Sequence, residues 1–112
     1  MATTTHAEYV ESVRRSAAAV AAQVLAGEAD VLESAHALVA LLWEAEIDER
    51  EPLFLTLRGV SSQIDHLPIG EVRAHWSPSS LEELEPEIQS ARTWAAPQVV
   101  EVSHWLVQRF GP

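Results

Sequence analysis

The sequence lacks several residue types and patterns, and each absence excludes a class of protein. It contains no cysteine, which excludes disulfide bonds, thiolate metal sites and a cysteine nucleophile. Lysine and asparagine are also absent, so arginine supplies every strongly basic side chain. No uninterrupted apolar run approaches the roughly 20 residues of a membrane span, and the first residues lack the apolar region of a secretory signal. We therefore expect a cytoplasmic protein that does not enter a membrane.

Acidic residues outnumber basic ones, and they concentrate in two stretches of the chain. The formal net charge is −10. Residues 28–51 contain eight acidic residues against one arginine, and residues 74–91 contain four glutamates and no arginine. A field of this sign repels nucleic acid and anionic lipid, and it attracts basic proteins. The charge therefore excludes nucleic acid as a partner and favours a basic protein.

Four segments have apolar residues spaced three and four positions apart, which is the spacing of one helix face. With 47% hydrophobic residues in 112 positions, the chain suits one domain with its own core. The pattern predicts a single all-α domain over residues 1–112, a bundle of four main helices. Helix A is expected over about 6–26, helix B between Glu28 and the polar run at 46–51, helix C over about 52–64 and helix D over about 86–110.

Local signals mark several helix ends. Thr5, with Glu8 three residues later, fits an amino-terminal capping box, in which side chains satisfy free backbone N–H groups. Gly27 lies where a left-handed carboxy-terminal cap is expected, and Pro52 suits the first turn of helix C. Gly59 weakens helix C, and its small size is compatible with close packing of another helix. Because few residues separate helices A and B, we expect an antiparallel hairpin.

Residues 65–80 interrupt the periodicity, with Pro68, Gly70 and Pro78 as breakers of regular structure. We expect an ordered loop folded over the helices, because the segment also contains apolar residues that a solvated linker would not: Leu67, Ile69, Val72 and Trp76.

The last segment restarts with Ser80 and Glu83, which fit a second capping box. Pro86 and Pro97 then interrupt the apolar stripe of helix D, and a proline inside a helix removes a hydrogen bond and clashes with the preceding turn. The stripe keeps its phase across both prolines, so we expect bends near residues 93–97. The continuity of helix D stays open, because a short helix at 80–84 followed by a new helix from Pro86 fits equally well.

The sequence contains no motif that predicts catalysis. It has no G-x-S-x-G turn and no glycine-rich phosphate loop. The five histidines include no pair at a typical zinc-ligand spacing. One local cluster would serve a metal site or a small enzyme: Asp65, His66, Glu71 and His75. The alternative is that His36 and His104 are hydrogen-bonded in the core and the other histidines are solvated. We expect no enzymatic activity, catalytic residue, metal or cofactor.

Two acidic segments and one tryptophan are the candidate partner-binding residues. The first segment crowds the turn between helices B and C, and the second lies near the start of helix D. The candidates are Glu44, Glu46, Asp48, Glu49, Glu51, Glu82, Glu83, Glu87 and Trp94. Trp94 lies beside the helix D stripe and is the candidate for an exposed anchor, whereas Trp43 and Trp105 are expected in the core. The alternative for the acidic segments is a solvated surface without a partner.

The loop before helix D contains a possible latch, formed by Asp65, Arg73 and Trp76. Arg73 is placed to close the loop by a two-pronged contact with the Asp65 carboxylate, and Trp76 would pack beneath. This latch would hold the loop on the bundle, or it would pre-organise the loop for recognition, and the two roles are compatible.

The centre of the chain resembles a family of small, uncharacterised, all-helical bacterial proteins. The run SSQIDHLPIGEVR at residues 61–73, followed by Trp76, Ser77 and Pro78, carries the resemblance, although Gln63 replaces an acidic residue. Proteins of this kind often lie beside secreted toxins as immunity proteins. The resemblance thus implies an immunity protein that occludes the active site of a basic toxin such as a nuclease. The alternative hypothesis is a homodimeric structural or regulatory module.

Overall fold

The computed structural model describes residues 4–112, and this part of the chain is all-α, with no strand. Four α-helices form the bundle: α1 (His6–Leu25), α2 (Val31–Glu44), α3 (Pro52–Gln63) and α4 (Pro78–Phe110). A 3₁₀ helix, Gly70–His75, lies between α3 and α4. The predicted bundle of four main helices is confirmed. No helix in residues 4–112 is long and apolar enough to cross a membrane.

Helices α1 and α2 form the predicted hairpin, and its caps explain the turn. The Thr5 hydroxyl oxygen accepts a hydrogen bond from the Glu8 backbone N–H at 3.1 Å, which confirms the cap of α1. Gly27 has a φ of 73°, the left-handed conformation that suits glycine after a helix. Asp30 then caps α2, because its carboxylate accepts from the Glu33 backbone N–H at 3.1 Å. The chain therefore reverses within residues 26–30.

The chain leaves α2 through a similar left-handed conformation, but here the residue is a glutamate in place of a glycine. Glu46 follows the last turn of α2 at a φ of 57°, and it is the one non-glycine residue with positive φ in residues 4–112. Its backbone N–H donates to the Trp43 carbonyl, and the Ile47 N–H donates to the Leu42 carbonyl. Helix α3 begins at Pro52 as predicted. Gly59 is exposed with nothing near its absent side chain, so it does not serve close helix packing.

Helix α4 differs from the predicted helix D in its start and its length. It begins at Pro78, and Ser77 is its cap, since the Ser77 hydroxyl oxygen accepts from the Ser80 N–H at 3.2 Å. The predicted capping box of Ser80 and Glu83 is therefore wrong, because proline fits the first helical position and moves the start forward. The helix continues through both internal prolines for 33 residues. At 1.5 Å per residue this is about 50 Å, close to the longest molecular dimension of 51 Å.

The core runs along the whole bundle, where α4 packs against the other three α-helices. Its large, fully buried side chains include Leu32, Leu38, Leu42, Phe54, Leu57, Ile64, Ile88 and Leu106. Trp105 is partly buried against this core. The prediction that Trp43 is a core residue is wrong, because Trp43 is 45% exposed, although its ring packs edge-to-face with that of the buried Phe54. Within α4, burial begins at Ile88, so the first turns of the helix lie at the margin of the core.

Side-chain contacts identify two opposite ends of the bundle. His6 contacts Glu46, and the Arg14 side chain donates to the Ala45 carbonyl. We call this end, with residues 4–16, 41–58 and 104–112, the terminal end. Asp30 contacts Arg92 at the other end of α2. We call that end, with residues 26–35 and 63–95, the loop end. Helix α2, which joins the two ends, has 14 residues and is about 21 Å long.

Candidate functional site

The excess negative charge of the molecule lies at the loop end. This end contains nine carboxylates and two arginines, whereas the terminal end contains seven carboxylates and five arginines. The loop-end charges are Glu28, Asp30, Glu33, Asp65, Glu71, Glu82, Glu83, Glu85 and Glu87, with Arg73 and Arg92. The terminal-end arginines are Arg14, Arg15, Arg50, Arg58 and Arg109. The two predicted acidic segments therefore have different surroundings.

The predicted segment Glu44, Glu46, Asp48, Glu49 and Glu51 lies at the terminal end, among cations. Arg50 contacts Asp48 at 3.3 Å, and hydrogen bonds from the Arg50 backbone and side chain lower the pKa of Asp48. The Glu46 carboxylate lies 2.9 Å from His6 Nε2. The Arg58 guanidinium donates to the Glu49 carbonyl and lies 4.9 Å from the Trp43 ring centre. Two of the five carboxylates in this turn therefore have a direct partner, Asp48 in Arg50 and Glu46 in His6, and the five arginines of the terminal end offset much of its total acidic charge.

At the loop end both arginines make internal contacts. Arg92 Nε donates to the Asp30 carboxylate at 2.7 Å, which ties the start of α2 to α4, and its Nη1 lies 3.9 Å from Glu85. Arg73 Nη1 donates to the Pro68 carbonyl at 3.4 Å. These contacts leave a surplus of carboxylates at this end of the molecule.

The predicted latch is not formed as expected. In residues 4–112 there is no ion pair between Asp65 and Arg73, because Arg73 reaches the Pro68 carbonyl instead. Asp65 is exposed, and Trp76 is 38% exposed and so does not pack beneath the loop. The loop is held by burial of Leu67 and Pro68. It is an ordered loop, as predicted, but its 3₁₀ helix was not expected.

A mostly apolar cleft lies where this loop meets α4. It has a volume of about 310 Å³ and is lined by Gln63, Ile64, His66, Leu67, Glu87, Ser90, Ala91 and Trp94. Trp94 is 46% exposed. At the rim, His66 Nε2 lies 2.8 Å from Glu87 Oε1, a contact that joins the loop to α4. An exposed indole beside an apolar cleft with a polar rim is typical of a protein-binding hot spot. We call this feature the Trp94 cleft.

A second, more polar cleft has Pro68 and Ile69 of the loop in its lining and a volume of about 540 Å³. Its charged lining comprises Asp30, Glu33, Glu71, Arg73 and Arg92. Gly70 shapes it, since its φ is 74° and a Cβ atom there would lie 3.1 Å from the Glu33 carboxylate. Glycine therefore suits this position mainly because of its left-handed backbone conformation. This polar cleft adds to the acidic surface at the loop end.

The structure divides the predicted partner-binding residues between the two ends. Glu87 and Trp94 line the same cleft, and Glu82 and Glu83 are exposed near the start of the same helix. Residues 44–51 lie at the opposite end of α2. The loop-end contribution of Asp30, Glu33 and Glu71 was missed, because its importance appears only when the α1–α2 turn and the loop come together.

The histidines have separate environments. His36 Nδ1 lies 2.7 Å from the Ser61 hydroxyl in a half-buried position, whereas His104 is exposed and is not the core residue expected. His66 contacts Glu87, and His75 is exposed. Within residues 4–112 no group of three histidine or acidic side chains is placed to hold a metal ion.

Comparisons of the chain with models of protein families, with curated proteins and with solved structures found no match.

Proposed function

We propose that this chain is an acidic protein-binding domain that binds a basic protein through its loop end. The observation that carries the proposal is the excess of acidic side chains at the loop end, where nine carboxylates face two arginines and where the Trp94 cleft also lies. Complementary charge accelerates encounter and selects the partner. A desolvated tryptophan then supplies the affinity that screened surface charges do not.

The contact surface we propose retains part of the predicted set and drops the rest. It includes Glu82, Glu83, Glu87 and Trp94, together with the carboxylates of the neighbouring turn and loop. The segment at residues 44–51 is left out, because the terminal end has five arginines against seven carboxylates and because the segment lies about 21 Å away along α2. A partner of ordinary size is thus expected to contact one end.

The specific form that the family resemblance favours is an immunity protein for a basic toxin. A nuclease suits this role, since its active site must attract an anionic substrate and is therefore basic. Binding of the acidic loop end over such a site would exclude the substrate by occupying space and by opposing its charge. No catalytic residue, metal or cofactor takes part in this proposed function.

Site-specific photocrosslinking in the native host tests where the partner binds. The photoreactive phenylalanine analogue would replace Trp94 in one variant and Trp43 in the matched control. The control is well chosen because the two indoles are 46% and 45% exposed and lie at opposite ends. We expect one basic protein to crosslink at position 94 and not at position 43. Crosslinking of that protein only at position 43 would overturn the proposal, as would a product at position 94 that is a dimer of the chain itself.

The immunity form has a separate test. The captured partner would be expressed in a heterologous bacterium with and without this chain. We expect the partner alone to stop growth, and we expect co-expression to restore it. A partner that binds at position 94 and does not impair growth would contradict immunity and leave the protein-binding function in place.

A further inference from the structure

We infer that the Trp94 cleft is a subsite for an arginine side chain of the partner, with the guanidinium on the indole face and hydrogen-bonded to Glu87. This inference rests on the proposed binding of a basic protein, and it names the group that the cleft recognises. It follows from how the chain packs its own tryptophans and from the chemistry of the cleft lining.

The first observation is that arginine covers two of the other indoles. The Arg58 guanidinium carbon lies 4.9 Å from the Trp43 ring centre, and that of Arg109 lies 5.6 Å from the Trp105 ring centre. Both distances are within the roughly 6 Å range of a cation–π contact. In the described part of the chain no arginine lies over Trp94, although this ring is as exposed as that of Trp43. The terminal end therefore supplies its own cations, and the loop end leaves this position free for an external one.

The second observation is that the cleft offers complementary groups for both parts of an arginine side chain. Ile64, Leu67 and Ala91 line it with apolar surface, against which the aliphatic stem can pack. The Glu87 carboxylate stands at the rim, and His66 contacts only its Oε1 atom among the described residues. Oε2 thus has no hydrogen-bond partner among the described residues and is free to accept from a guanidinium, which forms stronger hydrogen bonds with a carboxylate than a neutral donor does.

The same chemistry disfavours other side chains. A leucine would cover the apolar lining but would not pair with the carboxylate. A lysine would bring a compact, strongly hydrated charge that stacks less well on an indole than the planar guanidinium. The cleft is therefore expected to prefer arginine over lysine, and either cation over a neutral side chain of similar shape.

Titration with a short blocked peptide rich in arginine tests the subsite. The readout is the indole N–H resonances of the four tryptophans, assigned with single tryptophan variants. We expect the arginine peptide to shift the Trp94 resonance and to leave that of Trp43 in place. The lysine analogue should bind several-fold more weakly, and the citrulline analogue, which is neutral and of similar shape, should not shift Trp94.

Affinity measurements on variants separate the indole from the carboxylates. Trp94→Leu should weaken binding of the arginine peptide by roughly threefold to tenfold, and the matched variant Trp43→Leu should leave it unchanged. Glu87→Gln should weaken binding of the arginine peptide and reduce the difference in affinity between the arginine and citrulline peptides. An unshifted Trp94 resonance at saturation, or equal affinity in Trp94→Leu, would overturn the arginine subsite.

The same experiments distinguish failure of the arginine subsite from failure of the proposed binding of basic proteins at the loop end. If binding of the arginine peptide weakens when the loop-end carboxylates are replaced but is unaffected by Trp94→Leu, only the subsite is overturned. If binding is unchanged when Glu71, Glu82 and Glu83 are all replaced by glutamine, the proposed docking of basic proteins at the loop end is overturned as well.

Discussion

The two ends of the bundle contain similar numbers of acidic residues but differ in how those charges are balanced. At the terminal end five arginines accompany seven carboxylates, and three of them lie over aromatic rings. At the loop end two arginines accompany nine carboxylates, and both make internal contacts. The difference shows that surface charge depends on which segments the fold brings together. A run of acidic residues in the sequence does not by itself define an acidic surface.

Asp30 caps α2 and pairs with Arg92 of α4 at the loop end, and its replacement should have the largest effect on stability. We expect Asp30→Ala to lower the free energy of unfolding by about 2 kcal/mol, about 1 from the lost helix cap and about 1 from the lost, partly buried pair. Chemical denaturation measures this change.

Asp30→Asn is the matched control, because asparagine caps a helix about as well as aspartate and lacks the charge. Asp30→Asn should lower the free energy of unfolding by no more than about 1 kcal/mol. Equal losses in both variants would mean that the cap contributes little, and no loss in either would contradict the role of Asp30 in joining α2 to α4.

The two ends also differ in the residue that adopts the left-handed conformation after a helix. Gly27→Ala should destabilise the fold by about 1 kcal/mol, because a Cβ atom is unfavourable at this φ. Glu46→Gly should stabilise it by up to about 1 kcal/mol, less whatever the contact with His6 contributes. Thermal and chemical unfolding would measure both changes.

Gly59→Ala is the control for these glycine substitutions. Gly59 lies inside α3 with open space around it, so alanine should stabilise the helix by about 1 kcal/mol. A destabilising Gly59→Ala would contradict the assignment of this position to an unobstructed helix face. A neutral Gly27→Ala would contradict the left-handed turn.

The smallest effect concerns a single titration at the terminal end. The negative charge of Glu44 raises the pKa of Tyr9 above its ordinary value, with a smaller contribution from desolvation. The folded state holds the phenolic proton more tightly than the unfolded state does. The protonated phenol therefore adds to stability below the ordinary pKa near 10, and this stabilisation is lost as the pH rises through the higher pKa of the folded state. Tyr9 is the only tyrosine, so phenolate absorbance reports it directly. Glu44→Gln should lower the Tyr9 pKa, and Glu46→Gln, which removes a partner of His6, should not.

Much of the fold was predictable because it follows from local patterns. Apolar spacing gave the helices, and Thr5, Gly27 and Pro52 marked ends that the structure confirms. The start of α4 was missed, because two capping signals compete there and Pro78 favours the earlier one. Its continuity through Pro86 and Pro97 could not be predicted, because an apolar stripe that keeps its phase across a proline is compatible both with one bent helix and with two helices.

The candidate site was only partly predictable, for a related reason. Trp94 and Glu87 could be proposed from their positions beside the helix D stripe and in an acidic run. Their common cleft depends on how residues 63–67 pack against α4. The charge balance depends on which arginines the fold brings to each end, such as Arg14 of α1, which reaches the Ala45 carbonyl beside the turn at residues 44–51.

The most direct test of the account compares two triple variants with the captured basic partner. Glu71, Glu82 and Glu83 would be replaced by glutamine at the loop end, and Glu46, Asp48 and Glu49 by their amides at the terminal end, so that both variants lose the same charge. Association rates would be measured at low ionic strength. We predict that the loop-end variant associates about tenfold more slowly and that the terminal-end variant changes less than about twofold. Equal slowing, or greater slowing by the terminal-end variant, would contradict binding at the loop end.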